Sequence, residues 1–468
     1  MLRCLRLLAV VSVLLALVTW VRGDRFGPPP IPCPDCNVLL ISIDTLRADH
    51  LSLYGYARRT SPNLERLARD AVVFEQVFNH GGFTLPEHVS LLTSVPPAVH
   101  RIQSLTRKIE PERVTLAEQM RDAGHRTAAF TDGAWMAAQF GFEQGFESYD
   151  DAGGGLRETL PKVLSWIAAH RREPWFVFLH TYDVHTTLSR GRPYQCPGEW
   201  GTRFLPRTGA RERVCAGGRC NVQALLWLQR QRRRDPRFPT RDHVTPYQVE
   251  VLKAEYDGCI RWVDTRLRDL VDRLQEWGVY ERTLVVVTSD HGEKFLEHDE
   301  VLHAGAPFDE LVRVPLLMKL PGERHGGRRV DALVSSIDTM PTVLSVLGVT
   351  PNDDVQGHDL LPLLADGKPR RPLVSVGHGV RTPHWKLIKG WGRDHLYDLG
   401  TDPAEQHDVA TRYPGQVRGL AQAEERLRRR AARQHEAFVR RLGEAARVRR
   451  PEPTEQEIER LRALGYLD

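Results

Sequence analysis

Apolar runs that end in an aspartate or a histidine recur along this chain, and they constrain its fold more than any other feature. The first run, NVLLISID, covers residues 37–44, and RTLVVVTSDHGE at 282–293 follows the same plan. A third, EPWFVFLHTYDVH, covers residues 173–185. Continuous apolar runs of this length are typical of strands that are buried on both faces of a parallel sheet. Shorter apolar runs at 126–132 and 314–322 predict two further strands.

Helical patterns separate these runs. In the segment SPNLERLARDAVVF, Ser61 suits a helix cap and Pro62 suits the first helical position. Leu64, Leu67 and Ala68 then recur at helical spacing. Because strands alternate with helices, the sequence predicts an α/β fold with a mostly parallel sheet flanked by helices.

The C-terminal part has a different character. The segment HWKLIKGWGRDHLYDL predicts two short antiparallel strands in a small subdomain. DPAE at 402–405 then has the pattern of a helix start, with Asp402 as the cap. Residues 416–449 are strongly charged and carry a weak apolar stripe, which indicates a surface helix. Binding of this helix to a membrane or a partner is the alternative.

Ionisable residues follow three of the predicted strands. Asp44 ends the first run, Asp183 and His185 follow another, and Asp290 and His291 end a third. Ligands of open α/β sheets bind beyond the carboxyl ends of the strands. We therefore expect these side chains to meet at one edge of the sheet and to form a functional site.

The N-terminus predicts export. Arg3 and Arg6 precede an apolar run from 7 to 21, which is shorter than the roughly 20 residues that span a bilayer. A secretory signal is the favoured interpretation, and a single uncleaved membrane anchor is the alternative. The formal net charge of +5 over 468 residues does not indicate a nucleic-acid partner. Oligomeric state cannot be derived from these features.

Export makes disulfides possible for the six cysteines beyond Cys4. Cys33 with Cys36, and Cys215 with Cys220, are plausible local pairs. A zinc site at CPDC is the alternative for the first pair, although no second cysteine pair lies near it.

The segment GFTLPEHVSLLTS, residues 82–94, leaves two interpretations of Thr84 open. Pro86 suits the first turn of a helix, so Thr84 would lie just ahead of the helix N-terminus. A threonine there is either a capping hydroxyl or a nucleophile, because free backbone N–H groups favour negative charge at that position.

The chain resembles the sulfatase family of the alkaline phosphatase superfamily. Five segments match in the family's order: NVLLISIDTLRADHLSLYGY, TLPEHVSLLTS, FLHTYDVHT, VVVTSDHGEKFLEH with LHAGAPFDELVRVPLLMKLPG, and HLYDLGTDPAEQHDVA. The resemblance implies an alkaline-phosphatase-like fold and one divalent metal ion held by Asp44, Thr84 Oγ, Asp290 and His291. Two carboxylates, an imidazole and a hydroxyl suit Ca, Mg, Mn or Zn.

The chain departs from the family pattern at the nucleophile. Sulfatases of this family carry Cys or Ser within Cys/Ser-x-Pro-x-Arg, and that residue is oxidised to formylglycine. Here Thr84 and His88 occupy the two defining positions, and oxidation of Thr would give a ketone. No formylglycine is expected, and Thr84 is predicted to act unmodified. Thr45 stands where many sulfatases have a second metal-binding Asp. The lack of this carboxylate resembles the branches that cleave phosphoesters and phosphonates.

The resemblance also implies the remaining site residues. His185 and His303 match positions that hold the oxygens of the anionic ester or protonate the leaving group. His88 would contact Thr84 or the anion, and Lys294 is a weaker candidate for substrate binding. Asp183 would orient His185.

Four functions follow from this resemblance. Hydrolysis of a phosphate or phosphonate ester is slightly favoured over hydrolysis of a sulfate ester. A transferase of phospho-headgroups and a non-catalytic anion-binding protein are the further alternatives.

The resemblance completes the predicted domain organisation. The predicted units are a signal peptide or membrane anchor at 1–23, a Pro-rich linker at 24–36, a sulfatase-type catalytic domain at 37–365, a small C-terminal subdomain at 366–412 and a charged helical tail at 413–468. An Arg- and Cys-rich insertion at 187–241 interrupts the catalytic domain directly after His185. It is either a solvated basic surface or a wall that attracts an anionic substrate.

Overall fold

A computed structural model describes residues 32–187, 192–206, 212–390, 392–443 and 451–464. The predicted signal peptide or anchor, and the linker up to residue 31, lie outside the described residues. Among the residues that are described, none of the helices combines the length and the apolar character needed to cross a membrane.

The described chain forms sixteen strands. In chain order they are β1 Asn37–Ile43, β2 Val72–Phe78, β3 Arg126–Phe130, β4 Ser148–Asp150, β5 Trp175–Thr181, β6 Cys215–Ala216, β7 Arg219–Cys220, β8 Thr283–Thr288, β9 Lys294–Phe295, β10 Val301–Leu302, β11 Arg313–Lys319, β12 Arg329–Ser335, β13 Val374–Val376, β14 Gly379–Arg381, β15 Trp385–Lys389 and β16 Asp394–Asp398.

The α-helices are α1 Pro62–Leu67, α2 Thr84–Thr93, α3 Pro97–His100, α4 Leu116–Asp122, α5 Leu156–His170, α6 Val222–Arg234, α7 Pro246–Glu276, α8 Asp309–Val312, α9 Thr339–Leu347, α10 Leu361–Asp366, α11 Pro414–Leu442 and α12 Glu455–Ala463. Short 3-10 helices lie at Ala48–His50, Ser52–Tyr54, Ala134–Met136, Ala138–Phe140, Trp200–Thr202, Thr240–His243, Pro321–Glu323 and Ser336–Asp338.

Eight strands form the central sheet, in the order β12-β2-β11-β8-β1-β5-β3-β4. β1 pairs in parallel with β5 on one side and with β8 on the other, placing Ile41 opposite Leu179 and Val287. β11 is antiparallel to both of its neighbours. The prediction of a mostly parallel sheet flanked by helices is therefore confirmed, with one reversed strand at 313–319.

The pattern of β1 explains its central position. Every residue of β1 is buried, and alternate side chains enter two different apolar clusters. Leu39 and Ile41 pack with residues of α5 and α7, whereas Val38 and Leu40 pack with residues of α2 and α9. A strand that is apolar on both faces thus buries both faces under helices, as such runs predict.

Three strands of the central sheet were not predicted: the three-residue edge strand β4, and β2 and β12 on the opposite side of the sheet. β2 follows α1 after a short turn, and its residues 72–74 fall inside the segment that the sequence analysis treated as helical. β12 carries exposed Arg329 and Asp331 among apolar residues, so it lacks a continuous apolar run. Their pairing with each other in the sheet supplies the stabilisation that their local pattern does not reveal.

The smaller sheet confirms the predicted C-terminal subdomain. β13, β14, β15 and β16 form an antiparallel meander, and α11 packs against it. The expected helix start at 402–405 is wrong, because this segment forms turns and Glu405 has a φ of 56°. Glu405 is instead drawn inward by the ammonium of Lys386 and by the backbone N–H of Asp309.

Both predicted local pairs of cysteines form disulfides. Cys33 is bonded to Cys36, so neither thiol is left for the alternative zinc site. Cys215 is bonded to Cys220 and closes the β6–β7 hairpin of the insertion.

Candidate active site

The ends of β1 and β8 bring three ionisable side chains together. Asp44 follows β1, while Asp290 and His291 follow β8, the parallel neighbour of β1. One ligand atom from each of the three lies within 4.8 Å of the other two, and all three residues are buried. The expectation that these strand ends meet at one edge of the sheet is confirmed.

The three side chains fit a divalent cation. Asp44 Oδ1 and Asp290 Oδ2 are buried and have no hydrogen-bond partner among the described residues. Burial, and then the charge of Asp290, raise the pKa of Asp44 well above its usual range. Burying two facing carboxylates without a cation between them costs electrostatic free energy. Two carboxylates and an imidazole are, however, a common set of ligands for Mg²⁺, Mn²⁺, Ca²⁺ or Zn²⁺.

Thr84 lies in the same cluster. Its hydroxyl donates to Asp44 Oδ2 at 3.1 Å and is 3.4 Å from His291 Nε2. Thr84 is the first residue of α2, and the N-cap position predicted for it is held by Phe83. The structure therefore brings the fourth predicted ligand, a hydroxyl at a helix N-terminus, to the carboxylates.

His88 supports the first turn of α2. Its Nδ1 donates to the carbonyl oxygen of Thr84 at 2.9 Å, and its Nε2 lies 2.9 Å from Ser42 Oγ. Because the carbonyl can only accept, Nδ1 carries the proton and Nε2 accepts from the serine. Burial lowers the pKa of His88 to about 3, so the ring is neutral. His88 thus contacts Thr84 as predicted, but through the backbone, and it does not supply the positive charge of the family's arginine.

His185 and His303 form a second layer beside the cluster. Their ring centroids are 4.7 Å apart, and His303 lies 5.0 Å from the ring of His291. Burial lowers the pKa of His185 to about 3 and that of His303 well below its usual range. Both predicted histidines therefore reach the site in their neutral forms.

Asp183 has a different role from the predicted one. Its carboxylate accepts from the backbone N–H of Leu156, at the start of α5, at 2.8 Å and from Trp262 Nε1 at 3.4 Å. His185 is oriented by its own Nδ1, which donates to the carbonyl oxygen of Thr186 at 2.5 Å.

Lys294 is held by its own loop. Its ammonium donates to the carbonyl oxygens of Ala304 and Ala306, at 3.0 and 2.7 Å, and pairs with the carboxylate of Glu300. These contacts fill the three donors of the ammonium, so they do not support the predicted role in substrate binding.

Two buried residues of the site were not predicted. His180 lies inside β5, and its Nε2 is 3.4 Å from Asp44 Oδ2. Glu293 follows His291 by two residues, and its Oε2 is 3.5 Å from His303 Nδ1. Burial raises the pKa of Glu293 to about 7. In the sequence, His180 is marked only by its place within an apolar strand, and Glu293 only by its place at the end of DHGE. Neither feature identifies a site residue without the tertiary contacts.

Comparisons with known proteins show the family of the chain. A family model described as Sulfatase matches residues 36–349, and one described as N-sulphoglucosamine sulphohydrolase, C-terminal, matches residues 306–432. The chain is 23% identical over 455 residues to Arylsulfatase K of Gallus gallus, covering 84% of this chain and 82% of that protein.

Two further proteins extend the comparison to other activities. Multifunctional alkaline phosphatase superfamily protein PehA of Trinickia caryophylli is 25% identical over 408 residues, covering 71% of this chain and 78% of that protein. The crystal structure of a phosphonate monoester hydrolase of Agrobacterium radiobacter superposes with a TM-score of 0.64 at 22% identity, covering 85% of this chain and 96% of that one.

The fold and the site together define an ester hydrolase of the alkaline phosphatase superfamily. Within that superfamily, the chain belongs to the sulfatase family.

Proposed function

We propose that this protein hydrolyses phosphate or phosphonate esters with the unmodified hydroxyl of Thr84 as its nucleophile. The observation that carries the proposal is the position of Thr84 Oγ1, at a helix N-terminus and 3.1 Å from Asp44 Oδ2. A threonine at this position offers a hydroxyl oxygen as the nucleophile, as phosphotransfer enzymes do. It cannot be oxidised to formylglycine.

Activation of Thr84 follows from its neighbours. Asp44 Oδ2 accepts the hydroxyl hydrogen and so orients the oxygen. A divalent cation held by Asp44, Thr84, Asp290 and His291 would act as a Lewis acid and lower the pKa of the hydroxyl. The backbone N–H groups at the start of α2 favour negative charge on the bound ester. Neutral His88 donates one hydrogen bond to the carbonyl oxygen of Thr84, and a second hydrogen bond, accepted from Ser42 Oγ, fixes its ring.

His303 is the proposed proton donor to the leaving group. It lies between His291 and His185, and its Nδ1 is 3.5 Å from the carboxyl group of Glu293. Because burial raises the pKa of Glu293 to about 7, that carboxyl group keeps a proton near neutral pH. In the proposed step, neutral His303 gives its Nε2 proton to the leaving oxygen while Nδ1 takes the proton of the Glu293 carboxyl group, so the ring stays neutral and Glu293 becomes a carboxylate.

The identity of the nucleophile favours phosphorus over sulfur. A formylglycine enzyme releases sulfate by elimination from a hemiacetal, and an ester of threonine has no equivalent exit. Water must attack such an ester at phosphorus or sulfur, a route that is familiar for phosphoryl enzymes. The phosphonate monoester hydrolase and PehA resemblances support this choice. Hydrolysis of a sulfate ester is the second candidate, which the resemblance to Arylsulfatase K favours.

A panel of nitrophenyl esters tests the proposal. Purified protein is offered the sulfate, phosphate, phosphodiester and phosphonate, each with Mg²⁺, Ca²⁺, Mn²⁺ or Zn²⁺. We expect Thr84→Ala to lower kcat/KM at least about a thousandfold on the cleaved ester while the protein stays folded, because the substitution removes only the nucleophilic oxygen and a methyl group. Thr84→Ser keeps the hydroxyl and should retain measurable activity.

The outcomes separate the two candidates. Cleavage of a phosphorus ester that is lost in Thr84→Ala supports the proposal. If only the sulfate ester is cleaved and Thr84→Ala abolishes this cleavage, Thr84 is still the nucleophile, but the substrate is a sulfate ester. Full activity of folded Thr84→Ala rules out the nucleophile.

We also propose that the enzyme works outside the cytosol. Two disulfides, Cys33–Cys36 and Cys215–Cys220, suit an oxidising compartment. N-terminal sequencing and thiol titration of the protein recovered from an exporting host would test this, and free thiols at all four positions would contradict it.

A further inference from the structure

A cavity of about 870 Å³ lies between the insertion and the C-terminal subdomain. Helix α6 forms one side of it, β15 and β16 form the other, and the segment 297–308 lies between them. This segment carries His303, and both Val301 and Ala304 line the cavity. The cavity therefore adjoins the proposed proton donor.

Specific contacts fix the insertion over this segment. Gln229 of α6 donates to the carbonyl oxygen of Val301 at 3.4 Å, two residues before His303. Arg232, in the last turn of α6, donates to Asp299 at 3.2 Å. The basic end of α6 is thus held beside the strand that leads into His303.

The acidic side chains of the cavity are already paired. Asp299 lies 3.2 Å from Arg232 and 3.4 Å from Arg241, and Glu300 pairs with Lys294. Glu297, which also lines the cavity, pairs at 2.7 Å with Arg47, and Arg47 lies outside the lining. The negative charges of the lining are therefore compensated by neighbouring cations.

Arg233 is a positively charged side chain of the cavity lining that no acidic side chain of the described residues compensates. It is exposed, and it forms no ion pair with any residue in the described ranges. Arg233 faces the same cavity as Val301 and Ala304, which flank His303 in the chain, and His303 at 9% exposure is the most accessible of the predicted site residues. Lys389 on the opposite side has a partner in Glu424 at 3.7 Å, so it is only partly compensated. An uncompensated positive charge thus faces the cavity, along the segment that carries His303.

We propose that this cavity is a subsite for a second anionic group on the leaving-group part of the substrate, and that Arg233 is its direct contact. The preferred substrates are then esters with two or more negative groups, such as a sugar bearing a second phosphate, sulfate or carboxylate. This inference rests on the proposed function, because it assigns the leaving group of that reaction to the cavity. A guanidinium suits these anions through paired N–H donors.

Calorimetric titration of the full chain with non-cleavable sulfonates tests the subsite without turnover. The probes are naphthalene-1-sulfonate, with one charge, and three disulfonates of different spacing: benzene-1,3-, naphthalene-1,5- and naphthalene-2,6-disulfonate. We expect at least one disulfonate to bind about five- to tenfold more tightly than the monosulfonate at low salt. The advantage should shrink at high salt, because screening weakens contacts between partly exposed charges.

Two variants locate the effect. Arg233→Ala should remove the advantage of the disulfonate and leave binding of the monosulfonate unchanged. Arg234→Ala is the matched control, because Arg234 is exposed on the same turn and does not line the cavity. Arg233→Glu should place the disulfonate below the monosulfonate.

The outcomes are separate from those of the ester panel. Equal binding of one- and two-charge probes, or an advantage that survives in Arg233→Ala, overturns the subsite even if Thr84 proves to be the nucleophile. Failure of the ester panel overturns the proposed reaction, whereas an Arg233-dependent advantage would still locate an anion site in the cavity.

Discussion

Three aspartates, two of them buried and one half-buried, show how strongly the surroundings set the pKa of a carboxyl group here. Asp44 and Asp290 face each other, and the neighbouring charge of His291 holds the pKa of Asp290 below its usual value despite burial. Asp183 lies away from that pair, and burial followed by the charge of Asp132 raises its pKa to about 6. The surroundings thus lower the pKa of Asp290 and raise the pKa of Asp44 and of Asp183.

Asp183 gives a pH-dependent prediction. Its pKa rises from 3.8 when unfolded to about 6 in the folded protein, so the folded state holds a proton that the unfolded state releases between these values. Stability should therefore fall as pH rises from about 4 to about 6. We expect wild type to lose about 1 to 3 kcal/mol relative to Asp183→Asn across this window. Melting temperatures at pH 4, 5, 6 and 7 measure the difference.

Asp150 is the control for this measurement. Partial burial opposes ionisation there, but the ammonium of Lys162 at 2.8 Å lowers the pKa of Asp150 below its usual value. Asp150→Asn should therefore show the opposite trend relative to wild type, with wild type gaining stability as pH rises. Parallel profiles for wild type and Asp183→Asn would show that Asp183 is already ionised at pH 4.

At the level of elements, one ammonium ties the C-terminal subdomain to the central domain. Lys386 of β15 is fully buried, and its Nζ lies 2.8 Å from both Asp309 Oδ1 and Glu405 Oε1. Asp309 begins α8, which directly precedes β11 of the central sheet. The ion cluster thus joins the small sheet to the large one.

Lys386→Met should destabilise this junction strongly. The methionine fills the volume but leaves the carboxylates of Asp309 and Glu405 with less positive charge in a buried position. Breaking a buried pair in this way costs about 3 to 5 kcal/mol. The free energy of unfolding in urea measures the change. Lys389→Met on the same strand is the control and should change it by less than about 0.5 kcal/mol, because Lys389 is 40% exposed. Equal effects of both substitutions would contradict a special role for Lys386.

At the level of the whole molecule, the site is enclosed by distant parts of the chain. Asp44, Thr84 and His291 have no exposed surface, and they come from the ends of β1 and β8 and the start of α2. The insertion and the C-terminal subdomain cover the side on which His303 lies. Occupancy of the site should therefore be linked to the stability of the entire domain.

Removal of divalent cations should lower the melting temperature. Without a cation, the carboxylates of Asp44 and Asp290 repel each other inside the protein. A cation at a hundredfold excess over its Kd stabilises the folded state by about 2.7 kcal/mol. Differential scanning calorimetry with chelator, and then with each metal restored, measures the effect.

Asp44→Asn is the matched variant for this comparison, because the raised pKa of Asp44 shows that its charge is unfavourable in the fold. It removes one of the facing charges, so the metal-free protein should become more stable and the response to added metal should disappear. An identical melting temperature with and without chelator, together with no metal by elemental analysis, would contradict the predicted site.

Much of the fold and of the site could be predicted because the relevant signals are local. A strand that is buried on both faces must be apolar along its length, as in NVLLISID, and the residue after it must lie at the sheet edge. Asp44, Asp290 and His291 could be found in this way. The contribution of Thr84 came from a local pattern as well, a hydroxyl and Pro86 at the start of an apolar helix.

The predictions that did not hold concern residues whose contacts are set by the path of a folded loop or by a distant segment, and local periodicity reveals neither. Lys294 was expected at the substrate, but Glu300 and two carbonyl groups bind it. DPAE has the local pattern of a helix start, yet contacts of Glu405 with Lys386 and Asp309 hold it as a turn. Tertiary contacts of this kind outweigh a local preference of about 1 kcal/mol.

The sequence alone determined the layered fold, the family and the set of possible metal ligands, because each depends on residue type at a fixed distance from a strand or helix end. Only the tertiary structure decided which other groups join them. His180 and Glu293 became part of the site, and Arg233 was placed in the cavity along segment 297–308, through contacts that form only when the chain is folded. Such contacts depend on how β5, the insertion and the C-terminal subdomain pack, and periodicity along the chain carries no record of that packing.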